Sequence, residues 1–524
     1  LSKLGFSLTG HIEQGTGFRI GDKTLDFLLN KSGGEMQIYE DKKTGLEVHR
    51  RIEVINDTAI ISGHIINNSP KTVQNINIFE PLYLVFRDLP GQWKHIYALG
   101  GSSEAVYPPK AYQTNEIRGK DILIESHPGG RSSNLHLPFL ISLSPESESG
   151  EGLFCAMEWS GTWYMTLRQL DKARNVLSAG VKVKNIELKA GESLSMPEIH
   201  LGFFRGGEEG GTNALRRYLY ENVCPYYNGA PVLPKVSYDH WFGIANNLSF
   251  DLLKKQASRA SELGTEVFVV DAGWFRDGFP NGVGNWNLVD NEKFPDGLEP
   301  LAEYVRSLGM DFGIWFEIER ANPGTQAISE HPDWFVLPEE SKNNRAHLNL
   351  AIKDAQDWAI ETIGYWIKRL NLKWSRWDYN IDPMPFWNAV DPSGKIQFEY
   401  FKGLYRVLDT LMSEYPEWMI ESCASGGRRI DTGTMKRAHT YWFSDHSENP
   451  AITRYMQARA NRFMPGHLLN SSIMVKMGQG DEGFNDAAIL SRMLGKMAFD
   501  GDIASWSPTL TSRAAEWVGV FKSI

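Results

Sequence analysis

The sequence predicts a multidomain chain in which an N-terminal antiparallel β-sandwich, residues 1–230 closed by a linker helix, is followed by a (β/α)8 barrel over residues 231–524. Two observations carry this. The first part is built of short runs alternating apolar and polar residues, as in Ile52-Glu53-Val54-Ile55 and the TAIISGHII stretch 58–66, broken by Asn, Gly, Pro and Ser. Such alternation is that of strands with one buried face. Beyond Lys235 the pattern changes to apolar strands of about six residues that alternate with amphipathic helices, the sign of βα units around a parallel sheet.

Between the two parts, residues 211–223 have helical spacing and end at Cys224-Pro225, with a Pro/Gly-rich segment to Pro234. This reads as the linker. Eight strands are then expected at residues 236–241, 266–271, 312–317, 347–352, 372–378, 418–423, 440–445 and 467–474, with helices at 251–263 and 356–370 among those between them. Eight units in roughly 290 residues fit the size of such a barrel. An open doubly wound sheet would want a Gly-rich phosphate turn after its first strand, and this sequence has none.

With 524 residues, 42% of them hydrophobic, the chain is long enough for two cores. A formal net charge of -10, without a Lys/Arg-rich run, argues against a nucleic-acid partner. No apolar run approaches the roughly 20 residues of a membrane span, so no membrane partner is expected. Three cysteines, Cys155, Cys224 and Cys423, cannot all pair and read as free thiols. The sequence opens at Leu1 without Met, which leaves the compartment open between cytoplasm and periplasm.

In a barrel, chemistry sits at the C-terminal ends of the strands, because those ends share one cavity. Here they carry Asp239 and Trp241, Asp271 and Trp274, Glu317 and Glu319, the run Arg376-Trp377-Asp378-Tyr379-Asn380, Glu421-Ser422-Cys423, and Ser444-Asp445. Each has a plainer reading. A lone Asp after a strand commonly caps the next helix, Asp271 before Ala272-Gly273 suits a turn, and Glu317 or Glu319 can pair with Arg320 or Arg345. The concentration of carboxylates, Trp and Arg on one rim points instead to glycosidic-bond hydrolysis, which needs one carboxyl group at the anomeric carbon and one to protonate the leaving oxygen. Asp378 and Asp445 are the candidate pair.

From about residue 211 to 524 the sequence also resembles glycoside hydrolase family 36 of clan D, a family of microbial α-galactosidases. The motifs are VVDAGWF (269–275), GNWNLVDNEKFPDGL (284–298), GIWFEIE (313–319), HPDW (331–334), RWDYN (376–380), ESCASGGRRID (421–431) and WFSDHSE (442–448). The resemblance implies a retaining exo-acting α-glycosidase, with Asp378 as nucleophile, Asp445 as acid/base, and the two carboxyl groups roughly 5–5.5 Å apart. It further implies that Asp271, Trp241, Trp286, Arg376 and Asn380 bind the sugar, that Arg345 holds the nucleophile region, and that Cys423 and Gly426 lie near its 2-position. No metal or organic cofactor is implied. The partner is an oligosaccharide or glycoside, and a homo-oligomer is compatible with the family.

Two positions depart from the family pattern. Ala272 stands where a second aspartate is usual, and Arg376 where a lysine is usual. The expected substrate is therefore a terminal α-linked galactose or a modified galactose. α-N-Acetylgalactosaminide hydrolysis, transglycosylation and sugar binding without turnover are the alternatives. Family members usually continue into a small C-terminal β-domain, which is expected to be absent from a chain ending at Ile524.

Overall fold

The computed structural model describes residues 17–21, 28–33, 36–87, 93–102, 107–119, 121–144, 149–171, 174–338 and 345–524. The first stretch of the expected sandwich, residues 1–16, lies outside them.

Alternating residues of the N-terminal third do form antiparallel sheets. One has nine strands, in the order Leu28–Gly33, Met36–Asp41, Leu46–Ile55, Thr58–Asn67, Ser193–Phe204, Gly152–Glu158, Phe139–Leu143, Lys94–Ala98 and Thr114–Arg118. The other has five, in the order Arg19–Gly21, Ile78–Arg87, Arg174–Val181, Trp163–Gln169 and Ile122–Glu125. Leu46, Val48, Ile61 and Ile65 of the first share one apolar core with Phe79, Leu82, Leu177 and Ala179 of the second. Removing these side chains from water is the main force that holds the sheets face to face.

The linker helix begins earlier than its spacing suggests, at Gly207, and runs to Asn222. It does not float between two bodies. Leu215, Tyr218 and Leu219 are buried in one cluster with Phe139, Ile141 and Phe154 of the nine-stranded sheet and Tyr441, Phe443 and Ile452 of the barrel. The helix therefore fastens the sheet to the barrel.

Eight parallel strands close the barrel: β1 Ser237–Asp239, β2 Val267–Val270, β3 Asp311–Phe316, β4 Trp374–Trp377, β5 Met419–Ser422, β6 Thr440–Trp442, β7 Leu469–Val475 and β8 Lys496–Gly501, with β8 pairing back onto β1. The count matches the sequence reading, but one strand is different. Residues 347–352 are not a barrel strand; Ala346–Leu348 instead joins Arg320–Ala321 and Phe335–Val336 in a small antiparallel sheet. The strand that closes the barrel, β8, was not anticipated. The catalytic candidates thus follow the fourth and sixth strands rather than the fifth and seventh.

Inside the barrel the alternation is clear. Val267 and Val269 of β2 cluster with Trp374 of β4 and Met419 of β5, and Lys496 of β8 lies over the Trp374 ring, 4.8 Å from its centroid. Residues two and four positions further along the same strands point to the same interior at the mouth. No helix among the described residues is long and apolar enough to cross a membrane.

Candidate active site

Arg376 and Asp378 follow Trp374 at a spacing of two, so strand geometry turns both inward at the mouth of β4. The backbone N–H of Asp378 is held by Phe316 O of β3 at 2.8 Å. Its carboxylate is surrounded by N–H donors: Trp315 Nε1 at 3.2 Å and Asn380 Nδ2 at 2.7 Å to Oδ2, with Tyr379 N at 2.8 Å to Oδ1. Asn380 is itself held by Glu317, to which its backbone N donates at 2.5 Å and its side chain at 3.2 Å. Arg345 Nη1 donates to Asn380 O at 2.9 Å. These contacts fix the carboxylate in one orientation with its charge compensated by dipoles.

Asp445 follows β6, two strands along from Asp378, and Cys423 at the end of β5 stands between them. The buried Cys423 thiol is pushed well up by loss of solvent, with both aspartates adding to the effect. Asp445 is half-buried and accepts from Trp442 Nε1 at 2.9 Å. Loss of solvent and then the charge of Asp378 hold its pKa above the ordinary carboxylate range, against the pull of Trp442 and Arg376. Two neighbouring carboxyl groups in different surroundings are the arrangement that splits nucleophile from acid/base.

Below the pair lies a buried ion cluster. Arg376 reaches Asp271 at 2.9 Å, Asp239 at 3.1 Å and Glu421 at 3.2 Å, and its guanidinium sits 4.3 Å from the centre of the Trp442 ring. Asn470 of β7 donates to Glu421, and Lys496 to Ser237 Oγ. Burial brings the Lys496 pKa down to about 8. Burial raises Asp239, Asp271 and Asp500, and repulsion from Asp239 adds to the rise at Asp271 and Asp500. Charging all the acids of the cluster together in this enclosed space is costly, which is why the pKa values of these three aspartates move up rather than down despite Arg376.

Other expected site residues fall in different places. Trp241 starts a short helix after β1, partly exposed, edge-on to Phe279 at 5.0 Å. Gly426, at a φ of 82°, passes so close that a Cβ would meet Ser444 Cα at 3.0 Å and Asp445 N at 3.1 Å. Trp286 does not stand where the resemblance puts it: its ring packs among Trp274, Phe275, Trp315 and Phe316 and its indole N–H has no partner among the described residues, so it backs Trp315 from the core rather than stacking on a sugar. Glu319 also turns from the mouth, pairing both oxygens with Arg429 at 2.8 and 2.9 Å, while Glu317 pairs with Arg320 at 2.6 Å.

Sequence reasoning missed Trp315 and Trp442, the two indoles that donate to the aspartates. The period-two run Gly313, Trp315, Glu317 places Trp315 on the inward face, a signal available from spacing alone. Also missed was the support from the sandwich. Arg131 donates to Ala424 O and Ser425 Oγ, each at 3.1 Å, Ser132 to Asp431 at 2.6 Å and Ser133 to Gly427 O at 2.8 Å. The loop after β5 is thus held from the N-terminal third.

A cavity of about 510 Å³ opens on one side of Asp445, lined in part by Phe242, His446, Met474, Gln479 and Phe484. Among the described residues one group has ligand atoms close enough together for a metal ion: Glu158, Glu198 and His200. Lys436 pairs with both glutamates there, at 2.9 Å to Glu198, so a cation of the chain itself already compensates them.

The model of the family described as Melibiase matches residues 220–523. The chain is similar to an alpha-galactosidase of Escherichia coli, 30% identical over 376 residues, which cover 70% of this chain and 52% of that protein. It is also similar to alpha-galactosidase Mel36A of Lactobacillus acidophilus, 25% identical over 85% of this chain and 66% of that one. The chain spans about half the length of the first curated relatives it matches. Among solved structures, the GH36 alpha-galactosidase AgaA of Geobacillus stearothermophilus superposes with a TM-score of 0.82 over 98% of this chain and 73% of that one, at 21% identity. Variants of AgaA have been solved in complex with stachyose and with raffinose.

Proposed function

Since this chain belongs to the Melibiase family, we propose that it is a retaining, exo-acting α-galactosidase that hydrolyses a terminal α-linked galactose, or a modified galactose, from an oligosaccharide or glycoside. The observation that carries this reading is the pair Asp378 and Asp445, gathered at one mouth in unlike surroundings. In this reading residues 231–524 are the catalytic domain, and Arg131, Ser132 and Ser133 of the domain before it brace the loop after β5.

Asp378, held among N–H donors, attacks the anomeric carbon and forms a glycosyl-enzyme with inverted configuration. Asp445, whose raised pKa keeps it protonated further up the pH scale, gives its proton to the departing glycosidic oxygen. Water then enters on the vacated side, Asp445 removes its proton, and a second inversion restores the α configuration. Trp241, Asp271, Arg376, Asn380, Cys423 and Gly426 form the walls of the sugar pocket, with Asp271 and Arg376 offering an acceptor and a donor to hydroxyl groups. The leaving group occupies the cavity beside Asp445, where the Phe242 ring and the polar His446 and Gln479 suit a second sugar ring.

The test is turnover of aryl α-galactoside and aryl α-N-acetylgalactosaminide, with the anomer of the released sugar followed by NMR. α-Galactose as first product supports the reading. β-Galactose overturns retention, and turnover of the N-acetylated substrate alone reassigns the sugar. Affinity without turnover reassigns the chain to sugar binding, and oligosaccharide products at high sugar concentration reassign it to transfer.

A further inference from the structure

Trp442 is 1% exposed, and its surroundings leave its ring little freedom. Phe242 stacks on it with centroids 5.2 Å apart and planes 17° apart, the Arg376 guanidinium lies 4.3 Å from its centroid, and Cys423 and Met474 complete the apolar seat. Both principal neighbours are tied down in turn. Phe242 N donates to Asp500 at 2.8 Å, and Arg376 is gripped by Asp239, Asp271 and Glu421. The one polar atom of the indole, Nε1, donates to Oδ1 of Asp445 at 2.9 Å. A buried N–H without a partner is costly, so a rigid ring in a fixed seat holds the carboxyl group to one rotamer.

We propose that Trp442 is the positioning residue of proton transfer at Asp445: by occupying Oδ1 it makes Oδ2 the oxygen that carries the proton and directs it at the leaving group. This rests on the α-galactosidase reading above. In the first step the proton passes from Oδ2 to the glycosidic oxygen as that oxygen takes the bonding pair from the anomeric carbon. In the second, Oδ2 accepts a proton from water as the water oxygen bonds to that carbon. The ionisable groups acting on Asp445 are Asp378, Arg376 and Arg428, with Cys423 and Tyr112 also in its field, and His446 and Glu448 line the cavity on its far side.

The experiment is Trp442→Phe, which keeps a ring in the seat and removes the N–H, measured on aryl and alkyl α-galactosides that span good and poor leaving groups. The wild-type series tests the functional reading by itself; no turnover of any member overturns that reading and this inference with it. Given wild-type turnover, the variant is expected to lose about tenfold or more in kcat/KM on poor leaving groups and only a few-fold on good ones. The alkaline limb of kcat/KM is expected to move to higher pH, because the lost N–H had favoured the carboxylate anion. Equal loss across the series with an unmoved limb marks a merely structural role and overturns the proposal. If Trp442→Phe does not fold, Phe242→Leu loosens the seat and leaves the N–H; the same steeper dependence on leaving group is then expected, and a parallel loss overturns the proposal.

Discussion

Trp315, on β3, donates its indole N–H to Oδ2 of Asp378 across the strand boundary at 3.2 Å. An uncharged donor aimed at the carboxylate proposed as nucleophile orients it without neutralising it, and in that reading it follows the carboxylate charge as the glycosyl-enzyme forms and breaks down. Trp315→Phe keeps the packing against Phe275 and Trp286 and removes the N–H. The expected outcome is a fall of about tenfold in kcat with little change in melting temperature. A parallel loss of stability would trace the effect to packing instead.

The two aspartates are separable by azide. Asp378→Ala is expected to lose about 10⁴-fold or more in turnover, as removal of a nucleophile does. Azide added to this variant should enter opposite the leaving group and yield β-galactosyl azide from an activated α-galactoside. Asp445→Ala still forms the glycosyl-enzyme from good leaving groups, so azide should intercept that and yield the α anomer. NMR of the two products checks both assignments, and exchanged anomers would reverse the roles.

Asp500 is expected to weaken the fold at neutral pH. Burial and the charges of Asp239 and Asp271 raise its folded pKa well above the carboxylate range. Between the unfolded and the folded pKa the folded state binds more protons than the unfolded one, so stability falls as pH rises through that window. Each unit of displacement is worth about 1.36 kcal/mol. Asp500→Asn retains an oxygen for Phe242 N and removes the titration. The variant should melt higher than wild type at pH 7, with the gap closing toward pH 4. A lower melting temperature at pH 7 would refute the argument.

Arg131 carries the support of the sandwich to the site. Its guanidinium holds Ala424 O and Ser425 Oγ, and Ser425 Oγ donates to Asn380 Oδ1 at 2.7 Å. Arg131→Ala is expected to lower kcat several-fold to equal extents on good and poor leaving groups, since the disturbance reaches Asn380 and Asp378 and not Asp445. Steady-state kinetics on the same substrate series decide this, and a loss confined to poor leaving groups would contradict it.

Local pattern alone determined much of this protein. The change of period near Lys235, seven of the eight barrel strands and the spacing of two that turns Arg376 and Asp378 inward all follow from the backbone geometry of strands and helices, which neighbouring residues express directly. Long-range partners decided the rest. The residues around His347 alternate as a strand should, but their hydrogen bonds went to Arg320–Ala321 and Phe335–Val336. β8 escaped notice because its inward residues are Lys496, Ala498 and Asp500, a polar row that reads as exposed until Glu421, Arg376 and Ser237 are placed opposite it. Trp286 and Trp315 look alike in sequence, and only packing sends one into the core and the other to Asp378. The same holds for the seat of Trp442 and the reach of Arg131 across nearly 300 residues to Ala424: such contacts depend on which surfaces the folded chain brings together, and no local period encodes that.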